Sequence, residues 1–258
     1  KGVTLLPILN KELEVIDIYE INRPAHQAIN TVVIMAGGVG SRLRPLTNDT
    51  PKPLLKVGDK PIIRRITDKF LAEGFNEFVI SIGYLGDVIK NYYQENDNTI
   101  SPQFILEDRP LSTAGALSKL STIKKINYPI IVTNGDILCD DPLWSVVEYA
   151  KKNSIDGIML CREDVRQVPY GVVQSDSEDN FINIEEKPIF TYKVNGGIYV
   201  LSERMVSLIK QEESIDMPAL FSKARDNGFS LKTWLIKGYW IDVGRLDSLE
   251  LANTIFKY

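Results

Sequence analysis

From residue 31 onward, short β-rich apolar runs alternate with stretches of helical spacing, and this rhythm constrains the fold more than any other feature of the sequence. Residues 31–36, 77–83, 103–107, 129–134 and 156–161 read as strands, with helices expected over residues 61–72, 86–93, 114–121 and 143–151. A strand that feeds a helix and returns beside itself gives parallel pairing with helices on both faces. The expected fold class is therefore α/β: a Rossmann-like, mostly parallel or mixed sheet, covered by helices. After residue 164 come the short strands "YGVVQSD", "FINIEEKP" and "NGGIYVL", which predict a small mixed or antiparallel lobe before helix resumes over residues 217–225. At 258 residues, one substantial core fits this pattern.

Upstream, "LLPILNKELEVIDIYEI" alternates apolar and polar on either side of Asn10-Lys11, which predicts a hairpin. Two readings of it stand: an embellishment of the main domain, or the tail of an upstream domain joined by the linker "NRPAHQAIN". The expected domains are residues 1–30 and 31–258. The chain begins at Lys1 rather than Met, so a fragment is expected. His26, the only histidine, falls in the linker, which disfavours hydrolase schemes built on a histidine base.

No apolar run approaches the roughly 20 residues that cross a bilayer, and a net charge of −4 argues against nucleic acid or an anionic membrane as partner. Cys139 and Cys161 are too few for a disulfide framework or a zinc site, which predicts a cytoplasmic protein.

Residues 32–57, "VVIMAGGVGSRLRPLTNDTPKPLLKV", put Ala36, Gly37, Gly38 and Gly40 at the carboxyl end of the first buried strand, where open α/β sheets bind ligands. Glycines let backbone N–H groups approach a phosphate closely. Arg42, Arg44 and Lys52 follow, with Arg44 read as solvated, and a local basic site in an acidic protein points to a small anionic ligand. Two familiar phosphate loops fail: no Gly-Lys-Ser/Thr closes a Walker A gap, and Leu43 stands where a dinucleotide fingerprint needs its third glycine.

"EDRPLSTAGAL" opens a helix with Ser112, Thr113 and Gly115, small residues suited to a flat base against backbone; an ordinary N-capped helix is the alternative. "VTNGDIL" ends a strand on Asp136, a carboxylate placed to hold Mg²⁺ against phosphate oxygens. Asp242, inside the apolar strand of "YWIDVG", is a carboxylate that needs a partner, a lysine being one reading. Asp140 and Asp141 read as an exposed helix cap and a solvated charge.

The run Gly37-Gly38-Val39-Gly40-Ser41-Arg42-Leu43, then Pro45-Leu46-Thr47, then Pro51-Lys52-Pro53-Leu54-Leu55 closely resembles the signature of the sugar-1-phosphate nucleotidylyltransferases, and the resemblance extends from about residue 31 to the C-terminus. It implies an enzyme that joins a nucleoside triphosphate to a sugar 1-phosphate and releases pyrophosphate, with Mg²⁺ as cofactor. Arg42 would then grip the β- and γ-phosphates, and Lys52 would reach the α-phosphate or the pyrophosphate. Ala36, Gly37, Gly38, Gly40, Ser112, Thr113 and Gly115 would hold the nucleotide, and Asp136 and Asp242 the metal. "VPYGVV", "IEEKP" and "VNGGIYVL" match the family's sugar-side motifs in order, which implies a sugar pocket of Tyr170, Gly171, Glu186, Lys187, Asn195 and Gly196, with Lys187 neutralising the sugar phosphate. Ser112 departs from the family's usual glycine.

Pro53 after Lys52, with the Ser-Thr-Ala-Gly loop, resembles guanylyltransferases and so implies GTP. "LPILNKELEVIDIYEI" resembles the closing strands of a cystathionine-β-synthase-type (CBS) regulatory module. That arrangement is similar to the guanylyltransferases of legionaminic acid synthesis, which implies glucosamine 1-phosphate. Mannose- or heptose-1-phosphate guanylyltransferases, and uridylyl- or cytidylyltransferases, are the alternatives within the class. A catalytically silent, nucleotide-sugar-binding regulatory subunit is the alternative outside it, although such a module has no need of two metal carboxylates. The oligomeric state stays open, a homo-oligomer included.

Overall fold

A computed structural model describes residues 5–9, 15–20, 28–96 and 99–256. The run Val32, Val33 and Ile34 is fully buried, as a strand covered on both faces must be. It forms the middle of β1 (Ala28–Ala36), which leads through the glycine loop to helix α1 (Ile62–Ala72) and strand β2 (Phe75–Ile82). Next come α2 (Gly86–Asn91), β3 (Gln103–Leu106), the short α3 (Ser112–Gly115), β4 (Ile130–Asn134) and β5 (Ile137–Cys139). The chain continues through α4 (Leu143–Lys152), β6 (Gly157–Gln167), β7 (Gly171–Ser175), β8 (Phe181–Glu186) and β9 (Ile189–Leu201). It closes with α5 (Met217–Asp226), β10 (Leu231–Leu235), β11 (Trp240–Asp242) and α6 (Leu246–Ile255).

Seven strands make the central sheet in the order β10-β6-β9-β4-β1-β2-β3. The pairs β1/β2, β1/β4, β2/β3 and β6/β10 are parallel; β9 runs antiparallel to both β4 and β6. The helix α1 shows why its segment is helical: Ile62, Ile63, Ile66 and Phe70 share the buried face at i, i+1, i+4 and i+8. One apolar layer, including Ile34, Ile80, Phe70 and Val146, fills one side of the sheet. A second, including Val33, Val132, Leu117 and Leu220, fills the other.

Three expectations need correcting. "NGGIYVL" is no part of a separate lobe: it is the inner half of β9, in the middle of the central sheet. The helix expected over residues 114–121 is one α-turn, α3, followed by a 3₁₀ stretch, Ala116–Thr122. Asp141 is buried rather than solvated, and accepts from the backbone N–H groups of Lys237 (3.0 Å) and Gly238 (2.6 Å), which ties the start of α4 to the loop before β11.

The N-terminal strands Leu5–Leu9 and Val15–Glu20 pair antiparallel as a two-stranded sheet of their own. The Asn10-Lys11 turn and His26 lie outside the described residues. Among the described residues, no helix is long and apolar enough to cross a membrane.

Candidate active site

The carboxyl ends of β1 and β4 lie side by side, with Met35 registered against Asn134. Both strands turn away there, and their loops face each other across a cavity of about 430 Å³. The cavity is lined by Ala36, Gly37, Gly38, Gly40 and Arg42 from the first loop, by Lys52, by Asp136 after β4, by Ser112 and Thr113 of α3, and by Glu107. Nine of the residues expected from the sequence thus line one wall-to-wall space, at the edge of the sheet where such folds bind ligands.

The glycine loop is held open by its own backbone. Gly40 has φ 65°, a left-handed conformation that favours glycine, and its carbonyl accepts from Thr47 Oγ1 at 2.9 Å. Gly37 leaves room for the Glu107 carboxylate, which a Cβ at that position would meet head-on. Ser112 also has a positive φ, 63°, which explains physically why its departure from glycine matters: a side chain here costs on the order of 1 kcal/mol.

Lys52 is 8% exposed, and its ammonium contacts Asp136 Oδ2, with Asp242 Oδ1 at 4.0 Å. The two carboxylates meet because β5 pairs with β11, Ile137 against Asp242, and the Val243 N–H donates to the Asp136 carbonyl at 2.9 Å. Asp242 Oδ1 is buried without a hydrogen bond. Burial, and then the Asp136 charge, push the Asp242 carboxyl above its ordinary pKa, against the pull of Lys52, Arg42 and Arg245. A carboxylate in that condition is short of positive charge. Mg²⁺ accepts one or two carboxylates completed by phosphate and water oxygens, so Asp136 and Asp242 fit it. Among the described residues no group of three or more His, Cys, Asp or Glu is gathered, so the substrate would have to supply much of the coordination.

Other expected residues lie elsewhere. Gly115, the last residue of α3, is buried against the Glu213 carbonyl and does not line the cavity. Tyr170, Gly171, Glu186 and Lys187 lie on the ribbon formed by β6 to β9, outside the cavity lining. There Gly171 pairs with Glu186, and the Lys187 N–H donates to the Tyr170 carbonyl at 3.2 Å. The Asn195 amide is engaged by the Tyr199 hydroxyl and the Gly197 N–H, and the Gly196 carbonyl accepts from Trp240 Nε1 at 2.7 Å.

Glu107 is the residue that sequence reasoning left without a role. Its Oε1 accepts from Ser81 Oγ at 2.7 Å and its Oε2 from the Leu111 N–H at 3.3 Å, which fixes the carboxylate on the cavity wall. The available signal was an acid directly after an apolar strand, two residues before the turn of "RPLSTAG".

A family model described as nucleotidyl transferase matches residues 31–257. The chain belongs to the sugar-1-phosphate nucleotidylyltransferase family. It is 34% identical over 226 residues to a mannose-1-phosphate guanyltransferase of Yarrowia lipolytica, and 31% identical over 229 residues to that of Candida albicans. Each match covers 83% of this chain and 60% of the relative, so the chain spans less than two thirds of their length. The crystal structure of HddC from Yersinia pseudotuberculosis, also solved complexed with GMP-PN, superposes with a TM-score of 0.67 at 27% identity, covering 89% of this chain and all of that one.

Proposed function

We propose that this chain transfers a guanylyl group from GTP to a hexose 1-phosphate, giving a GDP-sugar and pyrophosphate. The observation that carries the reading is Lys52 set between Asp136 and Asp242 on the wall of the glycine-loop cavity. A sugar-phosphate oxygen attacks the α-phosphorus, a P–O bond forms there, and the bond to the β-phosphate oxygen breaks as pyrophosphate leaves. No protein nucleophile is required, so the chain contributes positioning and charge.

In this reading the backbone of residues 37–40 seats the triphosphate, Arg42 neutralises the departing pyrophosphate, and Lys52 follows the charge that develops at the α-phosphate. Asp136 and Asp242 would hold Mg²⁺, which supplies Lewis-acid neutralisation of phosphate charge when bound. Ser112 and Thr113 bound the base subsite. The ribbon brings Tyr170, Gly171, Glu186 and Lys187 to the sugar, with Lys187 answering its phosphate, and Asn195 and Gly196 lie at its root.

Glu107 supports GTP among the triphosphates. Guanine offers two adjacent donors, N1–H and the N2 amino group, and each oxygen of an ionised carboxylate retains acceptor capacity beyond the bonds it already makes. Uracil and thymine offer one donor between two acceptors, a poor match to a second carboxylate oxygen. Mannose 1-phosphate is the first sugar to test, because guanyltransferases for it are among the relatives of this chain. Glucosamine 1-phosphate rests on the CBS-like resemblance of residues 1–30.

The test is pyrophosphate release with Mg²⁺ across GTP, ATP, UTP and CTP, each paired with mannose, glucosamine and glucose 1-phosphates. Turnover with GTP supports the reading. Turnover confined to another triphosphate overturns the base, and nucleotide binding without turnover points to a regulatory subunit.

A further inference from the structure

Asp242 does not stand on the central sheet. Its strand, β11, pairs with β5 alone, three residues against three: Trp240 opposite Cys139, Ile241 opposite Leu138 and Asp242 opposite Ile137. A two-stranded pair this short is marginal in water, yet Mg²⁺ demands near-ideal octahedral geometry, with oxygens at about 2.0–2.1 Å. Burial of Ile241 and Val243 decides which face β11 turns to the core. It does not fix the strand lengthwise, and that position sets where the Asp242 carboxylate stands against Asp136.

The end of the pair beside the cavity is closed by the Val243 N–H, which donates to the Asp136 carbonyl at 2.9 Å. The far end is closed by Asp141, 6% exposed. Its Oδ1 accepts from the N–H groups of Lys237 (3.1 Å) and Gly238 (2.6 Å), and its Oδ2 from that of Lys237 (3.0 Å). Two successive N–H groups turned onto one carboxylate make an anion-binding concavity, here filled by the chain's own side chain. A Cβ at Gly238 would run into the Asp140 carboxylate and into Asp141 Oδ1. Asp141 is itself held. Lys69 of α1 donates to its carbonyl and to Glu73 Oε1, both at 2.6 Å, and Glu73 Oε2 accepts from the Trp144 N–H of α4 at 2.9 Å. The anchor thus belongs to the packed helix layer, whereas the segment it grips is the loop from β10 to β11.

Burying a carboxylate costs free energy that an apolar side chain of the same size would not. What the carboxylate adds is two fixed acceptors at the entrance to β11. We infer that Asp141 is a positioning residue for Asp242: by gripping Lys237 and Gly238 it sets the lengthwise place of β11, and so the spacing of the two carboxylates offered to Mg²⁺. The inference rests on the reading of Asp136 and Asp242 as the metal carboxylates. Trp240 Nε1 still ties β11 to the Gly196 carbonyl at 2.7 Å when the grip is lost, so the metal site loosens while the fold survives.

The experiment titrates Mn²⁺, as a probe for Mg²⁺, into the full chain with GTP and reads the bound metal by water-proton relaxation; circular dichroism checks folding. Asp141→Asn turns one acceptor oxygen into a donor facing donors. It is expected to raise the Mn²⁺ concentration for half-saturation about tenfold, in the range that removing outer partners of a metal site gives, with GTP affinity in the absence of metal within twofold of wild type. The Mg²⁺ concentration for half-maximal pyrophosphate release should rise by the same factor, and excess Mg²⁺ should restore most of the rate. Gly238→Ala crowds the same grip from the loop side and should shift both constants in the same direction; it carries the test if Asp141→Asn does not fold. Asp156→Asn is the control for a purely structural role. Asp156 Oδ2 holds the Ser230 N–H at 2.9 Å, before β10 and away from the cavity, so its loss should lower the melting temperature and leave the Mn²⁺ titration unchanged. A folded Asp141→Asn or Gly238→Ala that binds Mn²⁺ like wild type, or an equal shift in Asp156→Asn, overturns the positioning role alone. A wild type that binds GTP without Mn²⁺ overturns the metal reading of Asp136 and Asp242, and this inference with it.

Discussion

Asp242 Oδ1 lies 4.0 Å from the Lys52 ammonium, buried and without a hydrogen bond, because Lys52 is drawn to Asp136 instead. The second carboxylate of the pair is thus paired in charge but not in contact. Such an arrangement costs the free protein stability and suits an ion that arrives with the substrate.

Replacing Asp242 with Asn separates the two effects. Burial and the Asp136 charge raise the pKa of Asp242, so the folded state holds that proton to higher pH than the unfolded chain. The stability linked to the proton is present below the unfolded value and is lost as pH rises through the folded one. At neutral pH without Mg²⁺, Asp242→Asn should therefore melt at or above wild type, with the gap closing toward acid pH. Its pyrophosphate release should fall by about 10²–10³-fold. Thermal unfolding and the turnover assay check both halves.

Glu107→Gln keeps the shape of the side chain and replaces one acceptor oxygen with a donor. Hydrogen bonds to a charged group contribute about 1.5–3 kcal/mol, so kcat/KM for GTP should drop by about 10- to 100-fold. The constant for UTP should change little or rise. Parallel measurement with the two triphosphates at one sugar 1-phosphate shows whether discrimination narrows.

Ser112→Gly should stabilise the protein by about 1 kcal/mol, because φ 63° suits glycine and strains a side chain. Ser112→Ala keeps the strain and should give no such gain. Denaturant unfolding of the two variants separates relief of the backbone from loss of the hydroxyl, which lies 3.3 Å from Ser214 Oγ.

Cys139 is 4% exposed, and burial pushes its thiol up to about 11. Since the thiolate is the reactive form, the native protein should resist alkylation of Cys139 by iodoacetamide at neutral pH, with rapid labelling once it is unfolded. Mass spectrometry of the native and denatured chain reads the difference.

The strands and helices of the sheet's parallel half were legible because buried strands flanked by helices leave long apolar runs, as in residues 31–36 and 77–83. The glycine loop, Lys52, Asp136 and Asp242 were legible from motif order. Glu107 was not, since its setting depends on Ser81 and Gly37, which reach it only through the pairing of β2 with β3 and of β1 with β2. Asp141 was missed for the same kind of reason: its donors, Lys237 and Gly238, are nearly a hundred residues away in the chain. The extent of β9 escaped because alternation marks a strand but says nothing of which sheet it joins, and its inner half pairs on both sides while its outer half pairs on one.

The most direct measurement compares wild type with Asp136→Asn for GTP binding and for pyrophosphate release with GTP and mannose 1-phosphate in Mg²⁺. The account predicts release by wild type only when both substrates are present, with Asp136→Asn retaining GTP but releasing pyrophosphate about 10²–10³-fold more slowly. Equal release by the two proteins, or GTP binding by wild type without any release across the sugar phosphates, would contradict it.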